Sequence, residues 1–286
     1  MPMLCLAGTY RIVDTEPDGD SIRFYPDDPA QWSRVPGVHK VRTNAAGGAQ
    51  LRLDAIDALE THYSPPGSGP LHQPLELAHQ ARDELVRWLG FRDVQRDGEK
   101  VTTATPDTLA GYVLTQGADL YGRCVALAGR GDAPAESGTE IRVTVTMLRR
   151  TANHRLIATG LAYPTFYLQL YPDLRAELAK QARNARPATG VWARDRSQKG
   201  VKVESVATLT DEAVILPKLF RRLADYLELN AGDPSLAGFS AYLAQRGDPL
   251  IILSTGRYTG FDYVVRVDGQ TVRMTTEPED IVFQEQ

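Results

Sequence analysis

The chain has 286 residues, and its 32 Lys and Arg against 36 Asp and Glu give a formal net charge of −4. Hydrophobic residues make up 42% and charged residues 24%, which is close to the globular average and excludes disordered, collagen-like and coiled-coil chains. Because the sequence pI is about 5.8, the chain has no overall positive field and cannot coat nucleic acid by bulk charge.

Cysteine and histidine usage argues against structural metal or disulfide sites. The two cysteines, Cys5 and Cys124, are too few for a disulfide framework or a Cys-based zinc site. No two of the five histidines have the i, i+4 spacing of a helical zinc site. A signal peptide begins with basic residues, but no Lys or Arg precedes Arg11. No apolar run approaches the roughly 20 residues that are needed to span a bilayer. We therefore expect a cytoplasmic protein with no membrane contact.

The first two thirds of the chain mix strand and helix patterns. Alternating apolar and polar residues predict strands at 10–13, 21–25, 50–56, 100–105, 112–115 and 124–127. A turn at 17–20 joins the first two strands, and 27–49 is predicted to be a surface insertion. Helical spacing predicts helices at 74–89, 143–158 and 174–184. This order predicts a small β-barrel with helices packed on it.

The polar stretch 194–202 is a predicted linker, which divides the chain into a domain at 1–195 and an extension at 196–286. The amphipathic segment 210–229 contains Pro217, so we expect either a kinked helix or two separate helices. Beyond it, a helix is predicted at 235–245 and strands at 250–254, 261–267 and 270–275, the last two joined as a hairpin by Asp268-Gly269. The extension is thus a small α+β unit of unknown role.

Charged residues gather at the ends of the first three strands. Asp20 ends a turn, Arg52 lies within a strand, and Asp57 and Glu60 follow where that strand leaves the sheet. Two carboxylates from adjacent strand ends can bind one hard cation, and a third can orient or deprotonate a water. Nearby arginines suit phosphate through bidentate donation. Taken singly, Asp20 is more typical of a turn residue, and Glu60 and Arg52 of solvated side chains. Asp54 fits an outer carboxylate or a polar residue at the barrel end.

Three blocks in order carry a resemblance: Asp18-Gly19-Asp20-Ser21, the run 51–60 that holds Arg52, Asp57 and Glu60, and Asp119-Leu120-Tyr121-Gly122-Arg123. Over about residues 8–195 the chain resembles the staphylococcal nuclease (thermonuclease) family. The resemblance implies a five-stranded OB-fold barrel with helices. It also implies Ca²⁺-dependent hydrolysis of DNA and RNA, with water attacking phosphorus and 3′-phosphate ends as products.

The resemblance assigns roles residue by residue. It implies that Asp20, Asp57 and the carbonyl of Ala58 are calcium ligands, and that Glu60 is the general base or positions the attacking water. Arg52 and Arg123 would bind the scissile phosphate and stabilise the transition state. Tyr121 would line a nucleotide pocket, and Phe166 or Tyr167 would add a second aromatic wall, with core packing equally open for those two. Leu59 and Leu120 depart from the family's proline and lysine.

Two alternatives remain at this point. The chain could be a nuclease-like binding module that has lost catalysis. Alternatively, the main role could lie in 196–286, as a surface for a partner or for homo-oligomerisation that targets the nuclease. That segment holds 10 Lys and Arg against 13 Asp and Glu, a charge of −3 that argues against direct DNA binding.

Overall fold

The computed structural model describes residues 2–67, 69–187 and 190–284. The strands are β1 (Met3–Tyr10), β2 (Ser21–Pro26), β3 (Ala49–Leu53), β4 (Ile56–Ala58), β5 (Arg92–Asp97), β6 (Lys100–Thr105), β7 (Leu109–Ala118), β8 (Cys124–Arg130), β9 (Thr139–Ile141), β10 (Ala162–Pro164), β11 (Phe166–Tyr167), β12 (Val201–Lys202), β13 (Pro249–Ile252), β14 (Arg257–Gly260), β15 (Val265–Asp268), β16 (Thr271–Met274) and β17 (Ile281–Phe283). The helices are α1 (Leu75–Leu89), α2 (Val145–Leu148), α3 (Ala152–Ala158), α4 (Pro172–Ala185), α5 (Pro217–Leu229), α6 (Phe239–Arg246) and α7 (Phe261–Val264).

Five strands close into a barrel in the order β1-β2-β3-β8-β7, and β7 pairs back onto β1. The neighbours are antiparallel except for β3 and β8, which are parallel. The predicted β-barrel with helices is confirmed, and this strand order is compatible with an OB-like barrel. The strand predicted at 10–13 is wrong, because β1 ends at Tyr10, and the apolar run from Met3 pairs with β7 and β9.

Closure of the barrel depends on Gly8, where β1 pairs with both β2 and β7. A Cβ at this position would lie 2.1 Å from the carbonyl oxygen of Tyr25, so only glycine fits. Tyr10 is buried, and its hydroxyl donates hydrogen bonds to the carbonyls of Tyr112 (2.8 Å) and Gly129 (3.0 Å). The barrel interior is therefore filled with side chains and satisfied polar groups.

The helices pack on the barrel with their apolar sides inward. Helix α1 lies between β4 and the hairpin β5–β6, buries Leu77, Ala81 and Leu85, and ends at Gly90. The prediction of one helix at 143–158 is wrong, because Thr151 accepts a hydrogen bond from the amide of His154 and starts a new helix, α3. The helices predicted at 74–89 and 174–184 are confirmed as α1 and α4.

The carboxy-terminal segment joins the rest of the molecule through a shared sheet. Strand β17 pairs in parallel with β11, so that Phe166 faces Val282, and it also pairs with β13. Ser197, within the expected linker, is 1% exposed, and its hydroxyl accepts a hydrogen bond from the amide of Leu216. Residues on both sides of the predicted boundary at 195/196 thus belong to one packed core.

Local predictions for the tail are met in part. The region 210–229 contains two separate helical segments. A short π-helix spans Thr208–Glu212, and α5 begins at Pro217, which occupies its first turn. The strand predicted at 261–267 is wrong in its first half, where α7 precedes β15, while the hairpin of β15 and β16 is confirmed. None of the described helices is long and apolar enough to cross a membrane.

Candidate functional site

The turn before β2 packs against two other strands of the site. The main-chain amide of Leu53 donates to the carbonyl of Asp20 over 2.7 Å, and Ser21 pairs with Arg52 in the β2–β3 ladder. A Cβ at Gly19 would lie only 2.5 Å from the Cβ of Ala58. The turn with Gly19 and Asp20 therefore lies next to β3 and β4.

A tight turn separates Arg52 from Asp57. The single strand predicted at 50–56 is wrong, because Ala55 adopts the left-handed conformation with φ of 67° and divides it into β3 and β4. Strand β4 then pairs with β10, and Asp57 faces Tyr163. The turn buries Asp57, whose side chain is 1% exposed.

Arg221 of α5 binds two of the acidic residues at once. Its guanidinium donates to Oδ1 and Oδ2 of Asp57 over 3.1 and 2.8 Å, and to Oε1 of Glu60. Although burial favours the neutral form, the charges of Asp57 and Glu60 raise the pKa of Arg221 above its usual value, so the guanidinium stays charged. A cation from the tail thus contacts both Asp57, a predicted calcium ligand, and Glu60, the predicted general base.

Arg52 approaches the same cluster from the barrel wall. Its Nη2 lies 3.9 Å from Oδ1 of Asp57, which is within ion-pair distance but too long for a hydrogen bond. Among the described residues, this buried Nη2 has no hydrogen-bond partner. The guanidinium carbon lies 6.0 Å from the ring centre of Tyr167. Arg52 therefore keeps donor capacity for an anion at this position.

Two further carboxyl groups, Asp18 and Asp20, have altered acidity. Burial and the neighbouring Asp57 carboxylate raise the pKa of Asp20 to about 8, although Arg52 opposes this change. Burial and the charge of Glu60 raise the pKa of Asp18 to about 7, against hydrogen bonds from Gly19 and Thr61. Four acidic groups share this small volume, and two of them take up protons near neutral pH.

The loop that carries Glu60 is clamped to the tail by a buried glutamine. The side-chain oxygen of Gln73 accepts from the main-chain amide of Glu60 over 3.3 Å, and its nitrogen donates to the carbonyl of Ile215 over 2.9 Å. Tyr63 donates its hydroxyl to Asp225 over 2.6 Å and packs edge-on against Phe220, with ring centres 6.2 Å apart. These contacts hold α5, and with it Arg221, against the site.

Arg123 lies just before β8, the strand that neighbours Arg52. It immediately precedes β8, in which Cys124 pairs with Leu51 and Val125 pairs with Arg52. Since side chains alternate along a strand, Arg123 and Arg52 both lie on the outer face of the barrel. The carboxylate of Asp119 accepts hydrogen bonds from the backbone amide of Arg123 (2.9 Å) and from the Nε of Arg123 (2.7 Å). The two predicted phosphate-binding arginines therefore share one surface.

The three aromatic candidates differ in exposure. Tyr121 is 65% exposed, and the guanidinium of Arg123 lies 5.7 Å from its ring centre. Phe166 has no exposed surface, so its ring packs in the core and offers no face to a ligand. Tyr167 is half-buried between Arg52 and Phe283. Only Tyr121 of these three presents an open ring to solvent.

The donor set does not fit a calcium ion in this arrangement. Both side-chain oxygens of Asp57 accept hydrogen bonds from Arg221, whereas Ca²⁺ takes 6–8 oxygen ligands, chiefly carboxylates, carbonyls and waters. In the part of the chain that the structure describes, no group of three or more His, Cys, Asp or Glu side chains is arranged to hold a metal ion. Ala58 lies within β4, paired with Ala162.

Sequence reasoning missed Arg221, Asp18 and Gln73. Asp18 belongs to the motif 18–21 and could have been considered with Asp20. Arg221 and Gln73 lie outside every motif, and only the tertiary fold brings them to the site. No protein-family model matches the chain, and no curated protein matches it either.

Proposed function

We propose that the chain is a phosphodiesterase of the staphylococcal nuclease type, which binds DNA or RNA and hydrolyses it to 3′-phosphate ends. The observation that carries the proposal is the convergence of Asp20, Arg52, Asp57 and Glu60 at one end of a closed five-stranded barrel. The same four residues belong to the sequence motifs that resemble the nuclease family. The motifs and the three-dimensional arrangement therefore point to the same site.

The position of the site on the barrel supports a nucleic-acid ligand. OB-fold barrels bind oligonucleotides on the face of their second and third strands, together with the loops between strands one and two and between strands four and five. The barrel strands here are β1, β2, β3, β7 and β8 in chain order. Asp20 lies in the first of these loops, Arg52 on the third strand, and Tyr121 and Arg123 in the other loop.

The chemistry of the side chains suits a phosphodiester. Arg52 and Arg123 would donate to its non-bridging oxygens and stabilise the charge that develops at phosphorus. Glu60 would orient the attacking water, and Tyr121 would stack on a base beside the scissile phosphate. No step in this account passes through a metal ion, because Asp57 is already bound to Arg221.

One contact favours a second candidate, a nucleic-acid-binding module without hydrolysis. Arg221 donates to Oε1 of Glu60 and so occupies a position that a water or its proton would need. In this alternative the basic outer face binds a strand through Arg52, Arg123 and Tyr121, and the acidic cluster is structural. The two candidates share a ligand and differ in whether it is cleaved.

Cleavage of end-labelled single-stranded DNA and RNA tests the proposal, with parallel reactions in calcium and in chelator. We expect wild-type protein to release fragments with 3′-phosphate ends, and Glu60→Gln to lose about 100-fold or more of that rate. Glu76→Gln is the matched control, since Glu76 is 72% exposed and pairs with Arg194 on the surface. Binding without cleavage would favour the second candidate, and neither binding nor cleavage would overturn both.

A further inference from the structure

The guanidinium of Arg221 lies where the sequence places a divalent cation. It donates to three carboxylate oxygens, two on Asp57 and one on Glu60, and its side chain is 18% exposed. Asp57 is 1% exposed and Glu60 16% exposed. Such fork-shaped pairing uses the same oxygens that a calcium ion would need.

The charge around Asp57 also disfavours an added cation. Arg52 lies 3.9 Å from Oδ1 of Asp57, and Arg221 lies against both of its oxygens. A divalent ion entering here would face two guanidinium groups at close range, in a site where burial weakens solvent screening. Binding of Ca²⁺ would therefore require displacement of Arg221.

The helix that carries Arg221 is built into the core. Phe220 and Leu223, on either side of Arg221 in α5, are fully buried. Phe220 packs against Tyr63, and Gln73 donates to the carbonyl of Ile215 just before the helix. Movement of α5 would break these contacts, so the helix backbone is fixed, and the guanidinium itself is held by its three hydrogen bonds to Asp57 and Glu60.

We propose that Arg221 is the resident cation of the Asp57–Glu60 cluster and takes the place of a divalent metal ion. The inference deepens the proposed function and rests on it for the identity of the cluster as the phosphodiester site. It predicts that the folded protein does not bind Ca²⁺ there, and that any cleavage proceeds equally in calcium and in chelator. It assigns to Arg221 a positioning role, which holds Asp57 and Glu60 in one arrangement.

Thermal unfolding and equilibrium dialysis with Ca²⁺ test this inference without nucleic acid. The wild-type protein is compared with Arg221→Met and with the control Arg222→Met. In wild-type protein the guanidinium of Arg222 pairs with Asp248 (2.6 and 2.7 Å) and not with the site. Solutions of NaCl at matched ionic strength control for charge screening. Since nucleic acid is absent from every arm, the outcome can be read whether or not the protein proves to be a nuclease.

We expect no calcium bound and no calcium-dependent change in Tm for wild-type protein and for Arg222→Met. Arg221→Met should have a lower Tm, and 10 mM Ca²⁺ should raise it by roughly 2–4 °C, because the carboxylates of Asp57 and Glu60, without their guanidinium partner, then bind the ion weakly. Calcium bound by wild-type protein would overturn the inference. If Arg221→Met does not fold, dialysis of the wild-type protein and Arg221→Lys decides: calcium bound by wild type overturns it, and no calcium bound by either supports it.

Discussion

Arg221 donates to both carboxylate oxygens of Asp57, over 2.8 and 3.1 Å, although the two residues are 164 positions apart in the chain. The contact joins the barrel region to helix α5 of the tail. It also neutralises a carboxylate that is 1% exposed. The candidate site is therefore assembled from both parts of the chain that the sequence separates into 1–195 and 196–286.

Removal of the Arg221 charge should strongly destabilise the protein. Arg221→Met leaves Asp57 buried without its main counter-ion, and loss of one partner of a buried ion pair costs about 3–5 kcal/mol. Lys202→Met is the control, since Lys202 and Glu204 are 67% and 64% exposed and solvent screens such a surface pair almost completely. Urea denaturation gives both free energies of unfolding. Equal small losses in the two variants would contradict the account of the buried pair.

Gln73 should be required for the position of the Glu60 loop. Gln73→Leu would leave the buried carbonyl of Ile215 and the amide of Glu60 without their partner, at a cost of about 1–3 kcal/mol. Gln50→Leu is the control, because Gln50 is half-buried and its nitrogen donates to the hydroxyl of Ser21 rather than to the Glu60 loop or to the tail. The same denaturation measurement applies. A larger loss for Gln50→Leu than for Gln73→Leu would count against the clamp.

The barrel could be predicted because each of its strands is indicated by residues that are close together in the sequence. Apolar and polar residues alternate in β2 and β3, and turn residues mark their ends, so the strands can be read from short windows. The helix at 143–158 was mispredicted because apolar spacing runs through Thr151, whose hydroxyl caps a second helix. Ala55 was mispredicted for a related reason, since alanine carries no signal for its left-handed backbone.

The site could be predicted only where its residues share a motif. Asp20, Arg52, Asp57 and Glu60 lie in two short blocks, and the pairing of β2 with β3 brings these blocks together. Arg221 lies in an amphipathic helix whose sequence resembles any other packed helix, so nothing in its neighbourhood indicates a buried carboxylate as partner. Contacts across 164 positions depend on the packing of the whole chain.

Stability should fall with rising pH because of Asp20. Its pKa in the folded protein is raised from 3.8 to about 8, so the folded state retains a proton that the unfolded chain releases. The associated stability is full below about pH 4 and is lost as pH rises through 8, by at most about 1.4 kcal/mol per pH unit. Asp20→Asn should flatten this decline between pH 5 and pH 8, whereas Asp14→Asn, at a 77% exposed side chain, should not. Parallel pH profiles for wild type and Asp20→Asn in urea denaturation would refute the assignment.

Tyr121 should contribute to binding of single strands by stacking on a base. Tyr121→Ala is expected to weaken binding of a labelled single-stranded oligonucleotide by about 1–3 kcal/mol. Tyr258→Ala is a matched control, because Tyr258 is 63% exposed against 65% for Tyr121 but lies on β14, in a separate sheet. Fluorescence anisotropy measures both affinities. Equal weakening by the two variants would indicate contact away from the proposed face.

The central claim is that the outer face of β2, β3 and β8 binds a phosphodiester through its arginines. The most direct test is the Kd of a labelled single-stranded oligonucleotide for wild-type protein, Arg123→Gln and Arg257→Gln. Arg257 is a matched control, since it lies over Tyr263 as Arg123 lies over Tyr121. The account predicts binding by wild type, about 10-fold or more weaker binding by Arg123→Gln, and no change for Arg257→Gln. No binding by wild type, or equal affinity of wild type and Arg123→Gln, would contradict it.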